Sequence, residues 1–369
     1  MLNKASKTGH RPDYFLLALI FILTIFGLAM LASASSDLGR IKFNDSYYYI
    51  RHQIYYGLSL GVAGFLAGYL LSYQRLRRFA FPLLLLGIMA LALVFTKFGL
   101  EIRNTNRWLQ VGPLSFQPAE VIKLFFIIYL AAWLSNTKIN RTTNFTEGLL
   151  PFVLISGLIA TLLILQPATG TVVILLGTGL VVYVLSGAQL KYIFSVVLLG
   201  VIVLGLVIYA TPYRRDRILS FLDMSADTQK QNYHINQALI AIGSGGLFGR
   251  GYGQSIAKAS YLPTPTDDSI FAVIGEELGF VGAGSLIVLF CVLTLRLFWL
   301  AKRMRDNFAR LILIGFGTII ALQSFVNMAA ISGLIPLTGV PLPFISYGGT
   351  ALAVFLTMGG ISANISKYT

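Results

Sequence analysis

Ten apolar runs divide this chain, centred on residues 14–34, 54–72, 79–96, 121–135, 149–165, 171–186, 192–210, 278–301, 311–331 and 350–365. A helix needs about 17 to 25 mostly apolar residues to cross a hydrocarbon core. Each run is therefore expected to be one membrane span, which makes the fold an all-α polytopic bundle of ten transmembrane helices in a single integral membrane domain covering residues 1–369. The first run is too long for a removable signal peptide and lacks the small-residue cleavage pattern, so it counts as a span.

The polar stretches between the runs sort by charge. Lys4, Lys7 and Arg11 precede the first run; Arg75, Arg77 and Arg78 follow the second; Lys138 and Arg141 follow the fourth; Lys191 follows the sixth; Lys302, Arg303, Arg305 and Arg310 follow the eighth. All lie on one face, and short-loop cations mark the cytoplasmic side. An even span count puts both termini there. The other face carries fewer short-loop cations, mainly Arg40, Lys42, Arg51, Arg103 and Arg107. Its long loop, residues 212–268 between helices seven and eight, is expected to be extracytoplasmic, because long loops escape the charge rule.

Composition narrows the class without adding chemistry. With 56% hydrophobic and 11% charged residues the chain fits no soluble domain. The net charge of +14 would otherwise suggest a nucleic-acid partner, but most of the excess is topological and no such partner is expected. Cys291 stands alone in an apolar run, and His10, His52 and His234 have no ligand spacing, so neither a disulfide framework nor a thiolate metal site is expected.

Three segments on the outward face carry candidate chemistry. The first, residues 243–282, reads GSGGLFGRGYGQSIAKASYLPTPTDDSIFAVIGEELGFVG and sets Arg250, Ser255, Lys258, Asp267, Asp268, Glu276 and Glu277 against an apolar helix. Charge at a membrane boundary is expensive and commonly functional. Its six glycines from Gly243 to Gly253 would let backbone N–H groups approach an anion, although glycines alone also fit an ordinary loop. Residues 232–242 are amphipathic enough for a short interfacial helix. The second segment, RNTNRWLQVGPLSFQPAEVIK over residues 103–123, places Gln117, Glu120 and Lys123 at helical spacing on one face, as substrate groups or as an ion pair at a helix end. The third, GLIPLTGVPLPFISYGG over residues 333–349, is uncharged, contains Ser346, and breaks its backbone with Pro and Gly, which at membrane depth requires cover by protein or a cavity.

The ordered motifs RWLQVGPLSFQPAEVIK, IGSGGLFGRGYGQSIAKASYLP, IFAVIGEELGFVG and GLIPLTGVPLPFISYGG resemble the SEDS family (shape, elongation, division and sporulation), the FtsW and RodA type of peptidoglycan glycosyltransferase. The resemblance spans nearly the whole chain. It implies polymerisation of lipid II, a disaccharide-pentapeptide on undecaprenyl pyrophosphate, at the outer face of the bacterial cytoplasmic membrane. It also implies a class B penicillin-binding protein transpeptidase as partner, within the divisome or elongasome. The family's proposed catalytic aspartate ends the pattern LPEAHTD, which here reads LPTPTDD; counting from Leu262 or back from Ile270 gives Asp268, and the Thr266–Asp267 pair leaves Asp267 as the alternative. Asp268 would then be the general base, with Arg107, Lys123, Arg250 and Lys258 as cations for the departing pyrophosphate. Two adjacent acids repel, so a compensating cation or a divalent metal stays open, and no other cofactor is implied. An aspartate there also suits a helix N-cap. Ala168 in QPATG stands where the family usually has an acid, whose role cannot be carried over. MGGISANIS leans towards the FtsW division branch. A lipid II flippase or other transporter, and a noncatalytic scaffold, are the competing classes.

Overall fold

The computed structural model describes residues 10–102, 105–112, 114–136, 144–222 and 231–369. Lys4, Lys7, Arg103, Lys138 and Arg141 of the charge pattern lie outside them. The chain runs through α1 (Tyr14–Phe43), α2 (Tyr48–His52), a π-turn (Gln53–Leu58) continuing into α3 (Ser59–Leu70), and α4 (Tyr73–Leu93). Three short strands follow, β1 (Gly99–Ile102), β2 (Thr105–Val111) and β3 (Leu114–Phe116), then α5 (Pro118–Leu134). A second π-turn (Phe145–Leu149) leads into α6 (Leu150–Leu165), followed by α7 (Thr169–Leu185), α8 (Leu190–Ala210), α9 (Pro212–Leu222), α10 (Gln231–Ser244) and α11 (Ala257–Ser260). The last three are α12 (Ile270–Arg303), α13 (Asn307–Ile331) and α14 (Gly349–Ile365).

Every apolar run is helical. By length and composition, seven helices among the described residues can cross a membrane, and α7 is a shorter apolar helix. The fold departs from all-α in one place: the stretch expected as a loop before α5 is an antiparallel sheet in the order β1-β2-β3. The amphipathic stretch expected over residues 232–242 is α10.

The core sits around α13 and α14. The π-turn and α3 pack along α14 with Gly57, Gly61, Gly64 and Gly68 at the contact, where an added Cβ would run into Gly349, Leu356, Thr357 and Ile361. Small residues at such spacing let apolar helices approach closely. At the end of that pair Asn364 donates to the Tyr69 carbonyl at 2.6 Å and accepts from the Tyr73 N–H at 3.2 Å, fixing the turn between α3 and α4. α8 buries only Tyr192 and exposes apolar side chains along its length, as a helix facing lipid does. His10 Nε2 donates to the Thr369 carbonyl at 2.9 Å, so these two ends of the described chain adjoin.

α12 is two helices joined at Gly279, whose φ of 68° and ψ of −166° break the ladder. The groups this frees are taken up by the glycine-rich segment. Arg250 and Gly251 donate to the Glu276 and Glu277 carbonyls at 3.0 Å each, and the Phe280 and Val281 N–H groups donate to the Gly246 and Leu247 carbonyls at 2.9 and 3.1 Å. A Cβ at Gly245 or Gly249 would strike the Gly275 or Glu277 carbonyl. Of the six glycines expected to let backbone approach an anion, Gly245 and Gly249 serve close packing against the broken helix, while Gly243, Gly246 and Gly253 stand in open space.

Candidate active site at the head of α12

Asp268 lies just before α12, where three elements meet. Asn327 on α13 donates from one amide nitrogen to the Asp268 carbonyl at 2.9 Å and to the Val340 carbonyl at 2.7 Å. Ser346 donates to the Asp267 carbonyl at 2.5 Å, and the Tyr347 N–H donates to the Thr266 carbonyl at 2.9 Å. The uncharged segment after α13 is therefore fastened to the backbone of the acidic pair. The two carboxyl groups turn to different hydroxyls: Thr264 donates to Asp268 Oδ1, and Thr266 donates to Asp267 Oδ1 at 3.1 Å. Thr264 holds a left-handed backbone, φ 47°, uncommon for a β-branched residue. Asp268 is half-buried in a narrow cleft, too tight here for a water molecule, lined by Asn327, Ile331, Leu337, Thr338 and Gly339. A Cβ at Gly339, whose φ is 65°, would stand 3.7 Å from Asp268 Oδ2, in contact with the carboxylate.

Behind the pair, α10 supplies a residue that had no expected role. His234 Nε2 lies 2.6 Å from the Ser269 hydroxyl, and that hydroxyl itself donates to the Pro263 carbonyl at 2.9 Å. The ring must then carry its proton on Nε2. Burial pushes the His234 imidazolium below its ordinary range; the Asp268 carboxylate opposes this and Arg217 adds to it.

Arg107 sits on β2, half-buried, and donates to the Gln166 and Pro167 carbonyls at 2.8 and 2.7 Å. The same turn is held from the other side by Arg214, which donates to the Ile164 carbonyl at 2.8 Å and the Thr169 hydroxyl at 3.1 Å. Gly170, just beyond, abuts Thr338 and Val340 of the Asp268 cleft. Ala168, in the position of the family's usual acid, is buried in this turn.

Other expected substrate residues have partners within the protein. Lys123, 0% exposed, pairs with Glu120 at 2.6 Å and donates to Gln323 at 2.7 Å. Gln323 in turn donates to the Pro341 carbonyl at 2.8 Å, so this buried pair is tied to the segment beside Asp268. Gln117 is the N-cap of α5, and its N–H donates to the Thr350 hydroxyl at 3.2 Å, tying the start of α5 to α14. Arg250, Ser255, Lys258, Glu276 and Glu277 form a separate cluster. Glu276 accepts from the Ser255 hydroxyl at 2.5 Å and from the Ile256 and Ala257 N–H groups at 3.0 and 3.2 Å, with Arg250 3.7 Å away. Glu277 accepts from Lys258 at 2.9 Å and from Ser33 at 2.6 Å. Ser33 comes from α1, and no sequence spacing could have singled it out. These charges were expected to meet substrate; the structure turns Lys258, Ser255 and the two glutamates on one another. Among the described residues no group of three or more His, Cys, Asp or Glu side chains could hold a metal ion.

The family described as "Cell cycle protein", FTSW_RODA_SPOVE, matches residues 14–369. A "Probable peptidoglycan glycosyltransferase FtsW" of Geobacter metallireducens is 33% identical over 98% of this chain and 96% of its own. "Stage V sporulation protein E" of Bacillus subtilis is 36% identical over 97% and 98%. Among solved structures, a chain from "Structural coordination of polymerization and crosslinking by a peptidoglycan synthase complex" is 28% identical, with a TM-score of 0.81 over 97% of this chain and 99% of that one. The rod shape determining protein RodA of Thermus thermophilus is 29% identical, with a TM-score of 0.70 over 96% of each chain.

Proposed function

The chain belongs to the FtsW/RodA/SpoVE family of cell cycle proteins, and from that premise we propose that Asp268 is the base with which it builds glycan strands. The protein is a peptidoglycan glycosyltransferase of cell wall synthesis and a multi-pass membrane protein. Its substrate is lipid II. Asp268 takes the proton from the acceptor sugar hydroxyl as that oxygen attacks the donor's anomeric carbon; the bond to the pyrophosphate oxygen breaks, and undecaprenyl pyrophosphate leaves. The observation that carries this reading is the Asp268 carboxylate, half-exposed at the head of α12 and held through its backbone from α13. Arg107 is the cation retained for the leaving group, because it is half-exposed and anchored to the turn that abuts the cleft. Lys123 and Lys258 leave that role because each is buried against a carboxylate.

The helical segments at all ten runs and the contact of His10 with Thr369 support ten spans with both ends on the cytoplasmic side, residues 212–268 outside, and residence in the bacterial cytoplasmic membrane. The likeness to a chain of a peptidoglycan synthase complex supports a class B penicillin-binding protein as partner. The test is purified protein in detergent with lipid II and that transpeptidase. Asp268→Ala should abolish polymer with folding intact, a loss of about 10² to 10⁴-fold for a general base, and Asp267→Ala should retain most activity. Reversed results move the base to Asp267; loss from neither variant removes it. Wild-type protein that carries lipid II across sealed vesicles yet makes no polymer would favour a flippase, and one that does neither would favour a scaffold.

A further inference from the structure

A cavity of about 370 Å³ opens at the opposite end of the bundle, between the end of α7, the end of α12 and the start of α13. α13 has 25 residues, from Asn307 here to Ile331 beside Asp268. At 1.5 Å per residue that is about 37 Å, so this cavity is no part of the catalytic cleft. Its lining is apolar through Leu185, Phe298, Met304 and Ile314, and is completed by two cations, Lys302 and Arg310.

The two cations differ in how they are held. Arg310 is oriented by donation from Nη2 to the Leu185 carbonyl at 3.2 Å. Lys302 is exposed and makes no hydrogen bond or ion pair with described residues. The acid nearest in sequence, Asp306, is turned to α13, where it accepts the Phe308 N–H at 3.3 Å. Arg303 lies over the Trp299 ring at 3.5 Å, which leaves Lys302 and Arg310 as the positive charges of the cavity itself. An apolar hollow with two cations, where three membrane helices end, matches a ligand with one phosphate and an adjoining hydrocarbon chain. Its volume lies in the usual range for small-molecule sites.

We propose that this cavity binds an anionic glycerophospholipid, its phosphate between Lys302 and Arg310 and an acyl chain against Phe298 and Ile314. Each membrane-surface cation favours an anionic lipid by about fivefold, so the pair selects for one by about 25-fold. The attraction weakens with salt.

The experiment is native mass spectrometry of the full chain extracted from vesicles of equal phosphatidylglycerol and phosphatidylcholine. Wild-type protein should retain one phosphatidylglycerol in preference to phosphatidylcholine. Lys302→Gln removes an exposed, unbonded charge, cannot unfold the bundle, and should lower that retention about fivefold. The Lys302→Gln/Arg310→Gln pair should abolish the preference, while Arg40→Gln, an exposed cation elsewhere, should leave it intact. Equal retention of both lipids by wild type, or unchanged retention by Lys302→Gln, overturns the proposal. So does displacement of the lipid by millimolar inorganic phosphate, which would make the cavity a small-anion site.

Discussion

Removing the charge of Lys258 separates two roles that its position in the sequence could not. Its ammonium is 3% exposed and bonds Glu277 at 2.9 Å, Ser33 at 3.0 Å and the Gly253 carbonyl at 2.8 Å; Glu277 itself is 0% exposed. Lys258→Met leaves a buried carboxylate with hydroxyl and amide donors but no cation. Breaking one side of a buried pair costs about 3 to 5 kcal/mol, which is about two to three and a half powers of ten in the folding equilibrium. Adding Glu277→Gln removes the orphaned charge and keeps an acceptor for Ser33, so the double variant should recover to within about 1 kcal/mol of wild type. Thermal unfolding in detergent and lipid II polymerisation are measured together on all four proteins. A structural Lys258 gives an unstable, poorly active single variant and a stable, active double variant. If Lys258→Met is as stable as wild type yet inactive, and the double variant is equally inactive, Lys258 acts on substrate and the structural reading fails.

Gly249→Ala should prevent stable folding, because its φ of 80° disfavours a side chain and the new Cβ meets the Glu277 carbonyl; Gly253→Ala, at φ 82° in open space, should cost only about 1 kcal/mol of strain. Protein yield and unfolding temperature of the two variants distinguish clash from strain. For His234 the folded state disfavours the imidazolium, so its contribution is whole above the unfolded value of about 6.5 and falls as pH drops below it. His234→Gln keeps an Nε2–H donor for Ser269 without titrating, so its unfolding temperature should fall less than that of wild type between pH 7.5 and 5. In a Cys291→Ser background, cysteines near Arg77 and Arg303 should label only from the cytoplasm and one near Ser225, which lies outside the described residues, only from outside. External labelling near Arg303 would overturn the ten-span topology.

The helices were legible because an apolar run of span length has few other uses, and all ten runs are helical. Their ends were not. α1 continues through the polar stretch after residue 34 to Phe43, stopped by Asn44 in a left-handed conformation, and α12 starts at Ile270, before the apolar run, with the Gly279 break inside it. The sheet before α5 escaped notice because β1 and β3 have only four and three residues, too few for an alternating pattern to register. At the candidate site, motif position pointed to Asp268, but the charges around it were grouped by nearness in sequence. The fold groups them otherwise: Lys258 faces Glu277 across nineteen positions, and Lys123 reaches Gln323 across two hundred. His234 gave no signal because its partner, Ser269, becomes its neighbour only when α10 packs on α12.

The broken helix also orders events in time. Chains emerge from the ribosome N-terminus first, and the partners that compensate Glu276 and Glu277, from Ser33 to Lys258, all precede them. Gly246 and Leu247, which take the Phe280 and Val281 N–H groups, are already made as well. The glutamates are therefore synthesised after every group that neutralises them, so those partners already exist when α12 is made. Asp268 has the opposite history. Asn327, Gly339, Ser346 and Tyr347 are all synthesised after it, so a chain stopped at the start of α13 owns the complete glutamate cluster and an aspartate held only by its neighbour Thr264. The groups that hold the reactive aspartate come late in the chain, with only α14 and the C-terminal turn still to follow.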